Sequence, residues 1–179
     1  MRKIILTIII VVAAIFVYVN VNADVDAIVI PNAAIRVRVI ANSNSIYDQS
    51  MKMKVKEYIE KSISPLLIDV ESVTEARKII TNSTDELRLG IEKLFSEEGY
   101  KMNFNVNFGN NYFPTKDYKG VHYDEGEYES LVVTIGKGIG DNWWCVLFPP
   151  LCLLEASENE TGEVEYQFFV SKMLEKIFS

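Results

Sequence analysis

From Ala34 to Ala41 the chain alternates, with Ile35, Val37 and Val39 on one side and Arg36 and Arg38 on the other. This period of two predicts a first strand. After the polar break Asn42-Ser43-Asn44-Ser45 the period changes: Met51, Val55, Tyr58, Ile59 and Ile63 recur at helical spacing, with Ser45 and Asp48 placed as an N-cap and its acidic N3 residue. Pro65 closes that helix. Ser72 and Glu75 form a second capping box, opening a long amphipathic run through Val73, Ala76, Ile80, Leu87, Ile91 and Leu94 that Gly99 stops. The polar patch from Thr81 to Thr84 leaves room for a kink or for two shorter helices.

The period of two returns at Tyr100, Met102, Phe104, Val106 and Phe108, which predicts a second strand. Gly109-Asn110-Asn111 reads as a turn, and Phe113-Pro114 as the entry to an irregular loop. A third strand is predicted from Tyr128 to Ile135. Ser157 to Gly162 reads as a polar loop. Tyr166, Phe169, Val170, Met173 and Ile177 mark a C-terminal amphipathic helix, entered through a short strand near Val164 to Phe168. One-sided strands and one-sided helices combine into an α+β two-layer sandwich, with helices packed on one face of a mostly antiparallel sheet. Arg36 and Arg38 are then expected on the open face, solvated or docking an acidic surface.

Ahead of this pattern, Met1-Arg2-Lys3 is followed by an apolar run from Ile4 to Val19 broken only by Thr7. That is a basic start with a membrane-seeking core, so residues 1–23 read as a signal peptide or a membrane anchor. Residues 24–33 read as a linker and 34–179 as a single α+β domain; the domain is expected outside the cytoplasm, secreted or N-terminally anchored.

Charge narrows the function. Lys and Arg total 18 against 25 Asp and Glu, a net charge of -7, and the lysines at 52, 54, 56 and 61 are interleaved with Glu57 and Glu60. Such a chain repels phosphate backbones, which excludes nucleic acid as the expected partner. A lone histidine, His122, and two cysteines lack the spacing of a zinc site, and no cofactor motif is present. Gly136, Gly138 and Gly140 follow a strand but lack both the GxGxxG and the GK[ST] patterns. Cys145 with His122, or the acidic group Asp124, Glu125, Glu127 and Glu129, leaves open an extracytoplasmic cysteine- or carboxylate-dependent hydrolase. A purely structural, membrane-anchored protein is the other alternative.

The most unusual stretch is Gly136 to Cys152, GKGIGDNWWCVLFPPLC, which holds both tryptophans and both cysteines of the chain. Pro149 and Pro150 remove two backbone donors, so no central strand or helix is expected to run through it. Trp143 and Trp144 are adjacent, so in an extended path their indoles point to opposite sides. The expectation is a stiff apolar loop from Trp143 to Cys152 offered to another protein, with Asn142, Trp143, Trp144, Phe148, Pro149 and Pro150 as contacts and Arg36 and Arg38 as auxiliaries. Cys145 and Cys152 are placed for a disulfide only if the segment folds back sharply; the alternative is two buried thiols.

Together with IRVRVIANSNSIYDQSMKMKVK from Ile35 to Lys56, FPTKDY from Phe113 to Tyr118 and GEYESLVVTIG from Gly126 to Gly136, the tryptophan stretch resembles the stage II sporulation protein R family of endospore-forming bacteria. That resemblance implies a signal without catalytic activity of its own. It implies a protein made in the forespore and exported into the space between the two sporulation membranes. There it would activate a membrane-embedded aspartic protease of the mother cell, which matures a pro-sigma factor. The acidic pair Asp124-Glu125 departs from the family's pattern and inherits no role from it.

Overall fold

The computed structural model describes residues 11, 28–29, 33–118, 121–152 and 172–177. Its main sheet has four strands in the order β3-β6-β2-β7, with β2 at Ile35–Ile40, β3 at Phe104–Phe113, β6 at Gly126–Ile135 and β7 at Asn142–Phe148. The two central strands, β2 and β6, run parallel, while β3 pairs with β6 and β7 with β2 in antiparallel fashion. The architecture is thus mixed α+β, with an open sheet and a parallel pair at its centre. A smaller sheet of order β1-β5-β4 joins Ile28–Val29, Val121–Tyr123 and Lys116–Tyr118. Two residues of the segment read as linker therefore pair in parallel with β5. The expected leader, the polar loop at 157–162 and the strand near 164–168 lie outside the described residues. Among the described residues no helix is long and apolar enough to cross a membrane.

The helices form where capping and periodicity place them. Helix α1, Ile46–Ser62, is capped by the Ser45 hydroxyl, which accepts from the Asp48 backbone N–H at 3.1 Å. Pro65 falls in a 3-10 turn, Ser64–Leu67, that follows directly. Helix α2, Val73–Glu97, opens on Ser72, whose hydroxyl accepts from the Glu75 N–H. It runs unbroken through Thr81 to Thr84. The hydroxyls there are satisfied within the helix: those of Thr81, Ser83 and Thr84 donate to the carbonyls of Arg77, Ile79 and Ile80, four residues back, at 2.7 to 2.9 Å. The helix ends in a Schellman motif, with Gly99 at φ 63° and the Tyr100 and Gly99 N–H groups bonded to the carbonyls of Phe95 and Ser96.

That motif also explains a displaced strand. Tyr100 is committed to the helix end and packs edge-on against Phe95, so β3 begins at Phe104 rather than at Tyr100. It then continues through Gly109, Asn110 and Asn111, which pair with Ser130, Glu129 and Tyr128 instead of turning. Asn111 supports the strand by donating to the Ser130 hydroxyl at 3.0 Å. The segment expected to be irregular after Phe113 carries strands β4 and β5, paired antiparallel.

The core lies between the helices and one face of the main sheet. Ile35, Val37 and Val39 of β2, Leu131, Val133 and Ile135 of β6, and Leu147 of β7 meet Met51, Val55 and Ile59 of α1 and Ala76, Ile80, Leu87 and Ile91 of α2. Each buried aliphatic side chain contributes roughly 1.5–3 kcal/mol relative to exposure. The other face carries a second, smaller cluster of Ala34, Val146 and Leu151, against which Tyr123, Met173 and Leu174 pack.

Candidate functional site

The tryptophan stretch is an edge strand, not a protruding loop. Strand β7 needs no donor from Pro149 or Pro150, because it ends at Phe148 and the two prolines form the turn that follows. The register against β2 places Ile40 opposite Asn142, Val39 opposite Trp143, Arg38 opposite Trp144, Val37 opposite Cys145 and Arg36 opposite Val146. A shift between Ile35 and Arg36 then brings Phe148, beside Leu147, into the main core. Phe148 is fully buried, and Pro149, Pro150, Leu151 and Cys152 are buried with it. Of the expected contact residues, Phe148, Pro149 and Pro150 thus serve the packing of their own domain.

No disulfide joins Cys145 to Cys152. Both sulfurs approach the Val146 carbonyl, at 3.7 and 3.0 Å, so the chain does fold back after β7 as a bridge would require.

The connection into β7 is held against the segment after β2. The Asn42 side-chain oxygen accepts from the Lys137 N–H at 3.0 Å, and the Asn44 oxygen accepts from the Asp141 N–H at 2.6 Å. Gly140 donates to the Ala41 carbonyl, and a Cβ there would collide with the backbone of Ser43. Gly140 therefore permits close backbone approach, while Gly136 and Gly138 supply the positive φ, 54° and 63°, that the connection needs. The same segment is anchored from below by Asp48. Its carboxylate accepts from Asn42 at 2.9 Å, from the Ser43 hydroxyl at 2.5 Å and from the buried Tyr100 hydroxyl at 2.6 Å. The Ser43 bond first, and then that of Tyr100, holds the Asp48 pKa down to about 2.

Trp143 and Trp144 are both half-buried and turn to opposite faces of β7. Trp143 packs against the main core and carries the Lys56 ammonium 5.5 Å from its ring centre, with Lys56 also paired to Glu60. Trp144 meets Phe113 at 5.6 Å between ring centroids and has the Lys116 ammonium 4.9 Å from its ring. Asn142, with its amide oxygen turned toward Arg38, accepts from Nη2 at 2.7 Å and from Nε at 3.3 Å. Burial lowers the Arg38 pKa.

Arg36 departs most from expectation. It is only 1 % exposed, because Tyr128, Phe113 and Tyr123 enclose it, their ring centres 3.3, 5.4 and 5.7 Å from the guanidinium carbon. Tyr123 belongs to the small sheet, which period-two reading of the main strands did not reveal. None of Nε, Nη1 and Nη2 has a hydrogen-bond partner. Burial lowers the Arg36 pKa, with Tyr128 foremost among the groups opposing the shift. Arg36 adjoins a cavity of about 130 Å³ lined by Asn142 to Val146 of β7 together with Lys116 and Tyr123. The fold thus gathers Arg36, Asn142, Trp143 and Trp144 at one place and adds Lys116 and Tyr123, which were not among the expected contact residues.

The residues considered for hydrolysis do not converge there. His122 Nε2 lies 3.1 Å from Asp124 Oδ1, Tyr112 donates to Glu125 at 3.1 Å, and Glu129 forms a two-point bridge with Arg77 at 2.6 and 2.9 Å. Cys145 lines the cavity and His122 does not. Among the described residues no three His, Cys, Asp or Glu side chains group as a metal site.

Comparison with known proteins matches this arrangement to one family. The model of the family described as stage II sporulation protein R matches residues 31–158. Stage II sporulation protein R of Bacillus subtilis (strain 168) is 40% identical over 137 residues, covering 76% of this chain and 61% of that protein. The chain thus matches about three fifths of that relative's length. No solved structure matches it. The matched region spans the whole main sheet, helices α1 and α2 and every residue of the cavity from Arg36 to Val146, and the chain belongs to the stage II sporulation protein R family.

Proposed function

We propose that this protein is an exported sporulation signal that works by being bound, activating a membrane-embedded aspartic protease of the mother cell and so triggering maturation of a pro-sigma factor. Family membership supports a role in sporulation. The observation that carries the binding role is the pair of half-buried indoles on a sheet edge, flanking a cavity with the guanidinium of Arg36 beside it. Aromatic side chains fixed by a strand offer large contact area at small entropic cost, which suits recognition of another protein. The N-terminal apolar run would deliver the domain across the forespore membrane, with or without cleavage after Ala23.

The test is reconstitution of the full chain with membranes holding the protease and its pro-sigma substrate. Trp143→Ala with Trp144→Ala is expected to abolish processing while circular dichroism and melting show a folded domain. Undiminished processing by that folded variant would refute the proposal.

A further inference from the structure

We propose that the cavity beside Arg36 is a receptor for a carboxylate, the side chain of a Glu or Asp presented by the partner protein. The inference rests on the signalling reading for the identity of the partner, but its chemistry comes from the site. A guanidinium has two kinds of surface. Its flat faces are satisfied here by aromatic rings, with Tyr128 stacked at 3.3 Å and Phe113 and Tyr123 completing the enclosure. Its N–H edges are not: Nε, Nη1 and Nη2 are buried and make no hydrogen bond. Burying a cation with unmade hydrogen bonds is costly, and stacking offsets only part of that cost.

The missing partner must therefore be an acceptor that lies in the guanidinium plane, fits between aromatic walls and carries negative charge. A carboxylate meets all three conditions, because its two oxygens match the guanidinium fork in one plane. A phosphate also matches the fork, but the apolar walls favour an acid carried on a methylene stem. The walls from Trp144, Val146 and Tyr123 suit the methylene stem of an acidic side chain, and a cavity of about 130 Å³ admits a group of that size. Lys116 supplies a second positive charge over the ring of Trp144. Since the Arg36 nitrogens are out of solvent's reach, the half-buried Trp144 and the exposed Lys116 side chain move aside as the acid enters.

Trp143 and Trp144 are the two tryptophans of the chain and both line the cavity, so indole fluorescence reports its occupation. The full chain in detergent micelles would be titrated with N-acetyl-glutamate amide, its glutamine counterpart and inorganic phosphate. A saturable emission change with the glutamate probe, in the millimolar range, is expected. The glutamine probe should bind more weakly, by about tenfold to a hundredfold for the loss of a charge-assisted pair, and phosphate, which lacks the methylene stem, should also bind more weakly than glutamate. Arg36→Gln should lose the response to the same extent. Lys116→Gln, a change at an exposed position, should weaken it several-fold in a protein of unaltered melting, which keeps the test valid if the Arg36 variant unfolds.

Equal response to glutamate and glutamine, tighter binding of phosphate, or no saturable response would each overturn the assignment. Glutamate binding together with normal pro-sigma processing by the tryptophan variants would retire the signalling reading and leave the carboxylate site standing. Lost processing without glutamate binding would do the reverse.

Discussion

The guanidinium carbon of Arg36 lies 3.3 Å from the ring centre of Tyr128, on the sheet face opposite the helices. Alternation along β2 sends Arg36 and Arg38 to that face, but the small sheet and Phe113 turn one of the two positions into an interior site. At such a residue the proposed binding role and stability pull in opposite directions.

Arg36→Met is accordingly expected to leave stability unchanged or to raise it, by up to about 2 kcal/mol, since it removes a buried charge with unmade hydrogen bonds and keeps much of the side-chain volume. Urea unfolding of wild type and variant measures this. A loss of more than about 1 kcal/mol would mean that stacking on Tyr128 outweighs the cost of desolvation.

Asp48 sets an acid limit. Its folded pKa is held near 2, below the ordinary carboxylate value of about 3.9, so its contribution is fully present above that ordinary value. It is lost as pH falls toward the folded value. Stability should therefore decline between about pH 4 and pH 2, and Asp48→Asn should flatten that part of the curve, at a cost of about 1–3 kcal/mol at neutral pH for the bonds lost. An unchanged acid limb in the variant would contradict this.

Two glycines separate backbone contact from open space. At Gly140 a methyl group would strike the backbone of Ser43, and Gly140→Ala should destabilise by about 1–3 kcal/mol. At Gly109, within β3, nothing lies near the added carbon, and Gly109→Ala should stay within about 0.5 kcal/mol of wild type. Thermal melts of the two variants side by side decide the matter.

Phe148 and Trp144 should part company in the same way. Phe148→Ala removes a fully buried ring from the main core and is expected to cost about 3–5 kcal/mol. Trp144→Ala, at a half-buried ring outside that core, should cost less than half as much while abolishing pro-sigma processing. Equal losses of stability would place both residues in the same structural role. For this reason the functional test uses the tryptophans and spares Phe148.

Local physics was legible in the chain itself. Ser45 and Ser72 announced the starts of α1 and α2, Gly99 announced the end of α2, and alternation assigned the sides of β2 and β6 that meet the helices. Capping and periodicity depend on neighbours a few residues away, so one sequence suffices to read them. The opposed directions of Trp143 and Trp144 followed for the same reason.

Everything decided by distant partners required the tertiary structure. Gly109-Asn110-Asn111 carries turn chemistry, yet pairing with β6 holds it straight. Pro149-Pro150 bars a strand from running through it, yet β7 finishes just before it, at Phe148, and pairs with β2, a partner remote in sequence. Arg36 looked solvated because nothing near it in the chain reveals that Phe113, Tyr123 and Tyr128 will close over it. Burial is a property of the assembled chain, set by which remote surfaces exclude water from a residue, and the composition of its own strand cannot encode it.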